Sequence, residues 1–381
     1  RLVGSEMCIR DRDMQYHCAV IGKTGSGKTH VLKSFIQNDI DNNRGFCCID
    51  PHGDLIRFVN EKIPQERKED VIYLDIPNPE MKFGYNPLKR VSYEKRSLVA
   101  SGILETFERL SGPNAWGPKL SHILRNCLLA LLDYPGRTDF SDILRILRDK
   151  EYRKTIAKHI VNDEVKDFFI KEFPQYNPKF DFVPIYNKIG GFLSHPAIKR
   201  LLVENDDNVS LRRIMDESKI LLINVSKGAI GMDTARLVGS LLLTSLASAG
   251  FSRIDMTEEK RNPFTLYIDE AQVYANSSNV ASMLEELRKM KLVLCLAFQH
   301  LSQLDSQLRD SLFSNIGNLI VFRTSAKDGE YLVKELFKDH LPFIYGDLVT
   351  SPKYHIIVRI MIDGQPSKPF TATTITYDDY F

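Results

Sequence analysis

The run Gly22-Lys23-Thr24-Gly25-Ser26-Gly27-Lys28-Thr29 fits the pattern G-x-x-x-x-G-K-[ST]. A short apolar stretch, His17–Ile21, precedes it, and a segment with Val31, Leu32, Phe35 and Ile36 at helical spacing follows. Strand, glycine-rich turn and helix together form the setting in which this pattern cradles a phosphate chain. Glycines let successive backbone N–H groups turn inward around an anion, and the helix start adds its partial positive charge. The pattern assigns nucleotide contact to Gly22, Thr24, Gly25, Ser26, Gly27, Lys28 and Thr29. In that role Lys28 reaches the β- and γ-phosphates and the Thr29 hydroxyl ligates Mg²⁺.

Beyond the turn, Gly45 falls just past the helix and reads as its stop. Phe46-Cys47-Cys48-Ile49-Asp50 is an apolar run closed by a carboxylate, as suits a parallel strand buried on both faces. Val71–Leu74 reads as another strand. From Ser92 to Asp216 helical patterns dominate, with Ser97–Leu110, Lys119–Leu132 and Asp139–Arg148 the longest. Alternation then resumes, with strands at Ile220–Val225, Phe264–Ile268, Leu292–Phe298, Leu319–Phe322 and Tyr354–Ile362. Between them lie a helix at Asp233–Ser252 and one carrying Val280, Met283, Leu284 and Leu287 on a single stripe. Repeated βαβ alternation predicts an α/β fold, a mostly parallel sheet with helices on both faces. The expected organisation is a RecA-like P-loop NTPase domain at 14–91 and 216–381, with an inserted all-helical domain at 92–215.

The 381 residues carry a net charge of only +2, so no basic tail advertises nucleic acid. A motor needs basic residues along its channel alone, and near-neutrality does not exclude one. None of the six cysteines stands in a CxxC pair; they read as buried reduced thiols of a cytoplasmic protein. Leu237–Phe251, the nearest approach to a membrane span, is interrupted by Ser240, Thr244, Ser245 and Ser248 and reads as a buried helix. The chain begins at Arg1 rather than Met and reads as a fragment, with residues 1–13 a non-native or disordered leader. Arg1–Arg12 resemble a translated sequencing-adapter remnant.

Phe264–Ile268 ends in Asp269 and Glu270. Beside a P-loop, the first acid holds Mg²⁺ and the second serves as general base to the attacking water. Gln299 closes the strand Leu292–Phe298, where a polar side chain points at the ligand crevice and can sense the γ-phosphate or position water; it reads otherwise as a surface glutamine opening a loop. Arg288 lies at the edge of a buried helical face, near the helix end. There it reads first as a solvated cation favoured by the helix dipole, and second as an arginine offered to a neighbour; Arg323 is the other candidate. Asp50, in Asp50-Pro51-His52-Gly53-Asp54, reads equally as a metal or nucleotide contact and as a structural turn. His195 and His300 lack partners at metal spacing and read as structural or solvated. Lys188, Lys199, Arg200, Arg212 and Arg213 read either as phosphate contacts or as a solvated charged face.

The ordered set of motifs resembles a family. P-loop, Ile49–Asp54, Tyr85-Asn86-Pro87-Leu88, Ile220–Lys227, Tyr267–Gln272 and Leu296–Gln299 follow one another as in the FtsK–HerA superfamily, nearest the TraG/TraD-like coupling proteins of type IV secretion. The resemblance covers nearly everything after residue 13 and implies a hexameric ring ATPase that pumps DNA through a central channel. It also implies partners in the relaxosome or secretion channel, and a place at the inner face of the plasma membrane through a segment upstream of residue 13. By the same resemblance Gln299 matches the family's sensor glutamine and Arg288 its trans-acting arginine. Two alternatives stay open: a HerA-like DNA-processing motor, and a secretion ATPase acting on protein subunits. A nucleotide-gated scaffold with little turnover is a further reading, against which Glu270 stands.

Overall fold

The computed structural model describes residues 15–89, 91–111, 116–205, 209–274, 277–336 and 345–374. The expected leader at 1–13, with Cys8, lies outside them. The strands are β1 (Cys18–Ile21), β2 (Gly45–Asp50), β3 (Val71–Asp75), β4 (Ile220–Asn224), β5 (Phe264–Ile268), β6 (Leu292–Phe298), β7 (Asn318–Val321), β8 (His355–Arg359), β9 (Met361–Ile362), β10 (Gln365–Pro366) and β11 (Phe370–Thr373). Nine of them form one sheet in the order β11-β8-β7-β1-β6-β5-β2-β4-β3. From β7 through β1, β6, β5 and β2 to β4 every pairing is parallel, while β8 and β11 add antiparallel strands. This is the mostly parallel RecA-like arrangement that the alternation predicts.

The strands are continuously apolar because both faces of the sheet are covered. On one face Val20, Phe46, Cys48, Leu222, Tyr267, Ala297 and Ile320 meet Val31, Leu32, Ile36 and Ile40 of helix α1 (Lys28–Asp41) and Leu55, Ile56 and Val59 of α2 (Asp54–Lys62). The alternate residues Ala19, Ile21, Cys47, Ile49, Leu266 and Leu294 are equally buried on the other face. Cys18, Cys47, Cys48, Cys127 and Cys295 are free and buried.

The chain forms two compact units, one of Arg1–Tyr73, Leu211–Ser226 and Ala249–Phe381, the other of Leu74–Ser210 and Lys227–Ser248. The second is helical, built on α3 (Tyr93–Ser111) and α4 (Pro118–Asp133), and Ile103, Leu104, Phe107, Ile123 and Leu124 are buried in it. These boundaries differ from those drawn at 91/92 and 215/216. Tyr85 and Val209 belong to the helical unit through bonds of their N–H groups to the Leu201 and Gly84 carbonyls, contacts that local periodicity does not register.

Two local expectations need correction and two need refinement. Gly45 does not stop α1 but opens β2; the left-handed residue after the helix is Asn43 (φ 52°). A Cβ on Gly45 would stand 2.6 Å from the Ser218 backbone, so the glycine serves close approach. Val71–Leu74 lies in the edge strand β3 and is half-buried. The run 354–362 is two strands, broken at Ile360, whose N–H and carbonyl both bond Ser367, and Asp363-Gly364 (φ 52° and 78°) then turns β9 back onto β10. Finally, the helical stretch Met232–Asp255 is long and apolar enough for a membrane span by length and composition, yet Leu237, Val238, Leu241, Leu242 and Leu246 are buried within the fold.

His17, just before β1, accepts the Leu294 N–H at Nδ1 (3.0 Å). Burial, helped by the nearby Arg288 charge, lowers its pKa from 6.5 to about 4. The folded state therefore binds fewer protons than the unfolded chain between those values, and stability falls as pH drops through that window. The full contribution stands above pH 6.5 and amounts to a few kcal/mol at most. Thermal melts from pH 7.5 to 4.5 should steepen their fall below 6.5, and His17→Gln should flatten that part of the curve.

Candidate functional site

The carboxyl ends of β1, β5, β6 and β2 lie along one edge of the sheet, and their register levels them. Ile21 pairs with Phe298, so the glycine turn and Gln299 start side by side. Ile49 pairs with Ile268, so Asp50 and Asp269 follow at the same height. The Asp269 N–H extends that ladder to the Ile49 carbonyl (3.1 Å).

The turn is clamped from both flanks. The Gly22 N–H donates to the Phe298 carbonyl (3.1 Å), the Lys23 N–H to that of Arg323 (2.9 Å), and the Ser26 carbonyl accepts from the Tyr354 N–H (3.1 Å). Gly25 (φ 73°) and Gly27 (φ 121°) adopt angles that favour glycine. A Cβ on Gly27 would also press on Phe322 and Tyr354 at 2.9 Å. Gly27 caps α1, so the helix begins at Lys28, with Thr29 on its first turn.

Lys28 is buried, and Nζ donates to the carbonyls of Gly22 (2.6 Å) and Lys23 (3.1 Å). Burial lowers its pKa, opposed by the charges of Asp269 and Glu270. For Asp269 burial raises the pKa, with the Asp50 charge adding to it, while the Glu270 N–H and Lys28 oppose. The register of β1, β6, β5 and β2 puts the glycine turn and the acid pair on the same edge of the sheet, and there the charges of Lys28, Asp269 and Glu270 act on one another. Buried oxygen donors beside a single lysine also suit a hard divalent cation.

Glu270 has left-handed backbone angles (φ 45°, ψ 49°), a conformation costly for a residue with a side chain and common at functional turns. Its N–H donates to Asp269 Oδ1 (2.9 Å), and its carboxylate Oε1 lies 3.1 Å from His52 Nε2. Gln299 Nε2 donates to the Thr24 hydroxyl of the glycine turn. The site thus gathers the glycine turn, Lys28, Asp269, Glu270 and Gln299.

Asp50 resolves toward its structural reading. One carboxylate oxygen accepts the His52 N–H and the other the Leu55 N–H, each at 2.8 Å, so it caps the start of α2. Arg288 lies near the amino-terminal end of the strands, before β6, with its guanidinium 4.1 Å from the Tyr16 ring centre. It therefore stands apart from the site of its own chain. Arg323 is exposed and touches the turn through its carbonyl. His195 caps a short helix through Nδ1, and His300 faces Asp328 (3.7 Å). Among the five basic residues near the end of the helical stretch, Lys199 pairs with Glu204, Arg212 with Asp216 and Asp255, and Arg213 with Glu217. Lys188 lies over Trp116.

Two contributors escaped the sequence. His52 meets Glu270, 218 positions away, which no spacing foretells. Tyr274 is buried, and burial together with the charges of Asp50, Glu270 and Asp269 raises its pKa; its place four residues after Glu270 is the one local clue.

A family model described as "Helicase HerA, central domain" matches residues 3–189. No curated protein matches the chain. Among solved structures, the bacterial conjugative coupling protein TrwB in its unbound form is similar, with a TM-score of 0.69 at 15% identity over 96% of this chain and 85% of that one. TrwB in complex with ADP and Mg²⁺ gives 0.66 at 14% over 96% and 86%. VirB4 of Thermoanaerobacter pseudethanolicus gives 0.62 at 13% over 96% and 90%.

Asp50→Ala leaves the buried Leu55 N–H and the half-buried His52 N–H without their acceptor and should cost about 2 kcal/mol, visible as a lower Tm. Asp50→Asn, which keeps one acceptor oxygen, should lose less; equal melting of all three proteins would remove the capping role.

Proposed function

We propose, from the chain's place in the FtsK–HerA superfamily of P-loop ATPases, that it is an ATP-driven motor that moves DNA, as a coupling ATPase of conjugation or type IV secretion. The observation that supports hydrolysis is the convergence of Lys28, Asp269, Glu270 and Gln299 on the glycine turn. The backbone N–H groups of 24–29 would hold the phosphates, Lys28 would bridge β- and γ-oxygens, and Thr29 with Asp269 would hold the magnesium ion. That ion, when bound with ATP, supplies charge neutralisation on the phosphate oxygens. Asp269 must be ionised for this, and burial makes that harder, so metal binding weakens as pH falls.

Glu270 accepts a proton from the water that attacks the γ-phosphorus in line, the P–O bond to ADP breaks, and inorganic phosphate leaves. Gln299 joins the site to Thr24 and reports whether the γ-phosphate is present. Arg288, remote from its own site, is offered to the next subunit of a ring. DNA as cargo is supported by the HerA-type family model, and TrwB's description as a conjugative coupling protein favours DNA transfer over DNA repair.

Lys28→Ala should lower ATP turnover at least roughly 100-fold, and Glu270→Gln should do the same with nucleotide still bound. Single- or double-stranded DNA should raise the wild-type rate. A rate indifferent to both would reject DNA as cargo and favour secretion-protein subunits.

Arg288→Ala should lower turnover by about 10³-fold in the assembled ring. Mixing it with Lys28→Ala subunits should restore activity, because each lacks what its neighbour has. Mixed rings as inactive as either parent would remove the trans role.

A further inference from the structure

We propose that His52 is a positioning residue, holding the Glu270 carboxylate in the orientation that accepts the proton of the attacking water. The inference rests on the reading of Glu270 as general base. A general base is ionised before it acts, and an ionised carboxylate only accepts hydrogen bonds, so in that state His52 donates from Nε2 to Oε1 across the 3.1 Å contact.

The contact is built from both sides. Asp50 accepts the His52 N–H, Pro51 restricts the backbone before it, and Gly53 takes a left-handed turn (φ 86°) behind it. A Cβ on Gly53 would meet the Asn224 side chain at 3.0 Å, so the turn packs closely against the end of β4. On the opposite side the Glu270 backbone is fixed: its N–H donates to Asp269 Oδ1, and its carbonyl accepts the Val273 N–H (2.8 Å). The side-chain torsions of Glu270 remain to be set, and the imidazole restrains them through Oε1.

The need for such a restraint follows from Lys28. Its charge acts on Glu270 from within the same site. An unrestrained carboxylate is drawn onto that ammonium, where it blocks the cation that the phosphates require and turns away from the water. A donor on Oε1 opposes that collapse. The side chains of His52 and Glu270 are 48% and 18% exposed, a setting in which such a pair contributes little to stability. Its consequence is therefore geometric, and it should appear in turnover rather than in melting.

The test measures kcat, KM for ATP, nucleotide Kd and Tm for wild type, His52→Ala, His52→Gln, Glu270→Gln and the double variant His52→Ala/Glu270→Gln. His52→Ala should lower kcat roughly 10- to 100-fold, as loss of an orienting partner does, with KM, Kd and Tm little changed. His52→Gln, whose amide nitrogen reaches the place of Nε2, should recover most of the rate. In the Glu270→Gln background, removing His52 should slow turnover no further. A wild-type kcat in His52→Ala overturns the proposal, as does His52→Gln as slow as His52→Ala, or a parallel loss of kcat, nucleotide affinity and Tm. If Glu270→Gln itself hydrolyses like wild type, the general-base reading falls, and the role of His52 with it.

Discussion

A buried lysine among carboxylates is the interaction on which the site is organised. Charges removed from water cost several kcal/mol each unless they are paired or hydrogen-bonded. Lys28 meets that condition through the Gly22 and Lys23 carbonyls and the fields of Asp269 and Glu270. Asp50 meets it through two backbone N–H groups. Asp269 receives the Glu270 N–H, yet burial and the Asp50 charge still push its pKa up. The floor of the site thus holds more acid than base, and a divalent cation is what would relieve it. The same imbalance explains why the acids need the sheet: only strands fixed on both sides can hold like charges this close.

The sheet supplies that rigidity through its order. β6 stands between β1 and β5, so the glycine turn and the acid pair come from strands that do not touch and are separated by the strand that ends in Gln299. Parallel register levels all the strand ends, and the buried apolar runs leave each strand one register in which its side chains fit. The glycine turn, tied to the Phe298 carbonyl on one flank and the Arg323 carbonyl on the other, inherits its position from both neighbours.

The nucleotide elements were largely legible in the sequence, because local pattern specifies them. A strand of Cys-Ala-Val-Ile, a glycine turn and a helix can be read within 25 residues, and acids or a glutamine closing an apolar run mark a strand's carboxyl end. What escaped depended on distant partners. Gly45 carries the same letter whether it stops a helix or lets β2 pass the Ser218 backbone. His52 becomes meaningful only once β2 and β5 are paired. The basic residues near the end of the helical stretch looked like a candidate phosphate face until Glu204, Asp216, Glu217 and Asp255 were found beside them. Boundaries moved for the same reason, since the bonds that assign Tyr85 and Val209 to the helical unit reach Leu201 and Gly84.

The strained backbone at Glu270 is the remaining clue to how the parts act together. A left-handed glutamate persists only where its surroundings over-determine it. Its N–H and carbonyl are both engaged, and two residues on, the Gln272 side-chain oxygen accepts the Gln299 N–H (3.4 Å). Gln299 in turn donates to Thr24 of the glycine turn. Polar contacts join His52 to Glu270 and, two residues along the same turn, Gln272 through Gln299 to Thr24, at the ends of β2, β5, β6 and β1. Each of these groups lies on a turn that directly follows a strand of the sheet. Under the roles proposed for Glu270 and Gln299, a γ-phosphate seated in the turn would compete for the Thr24 hydroxyl and the Gln299 amide, and so would reset both turns together.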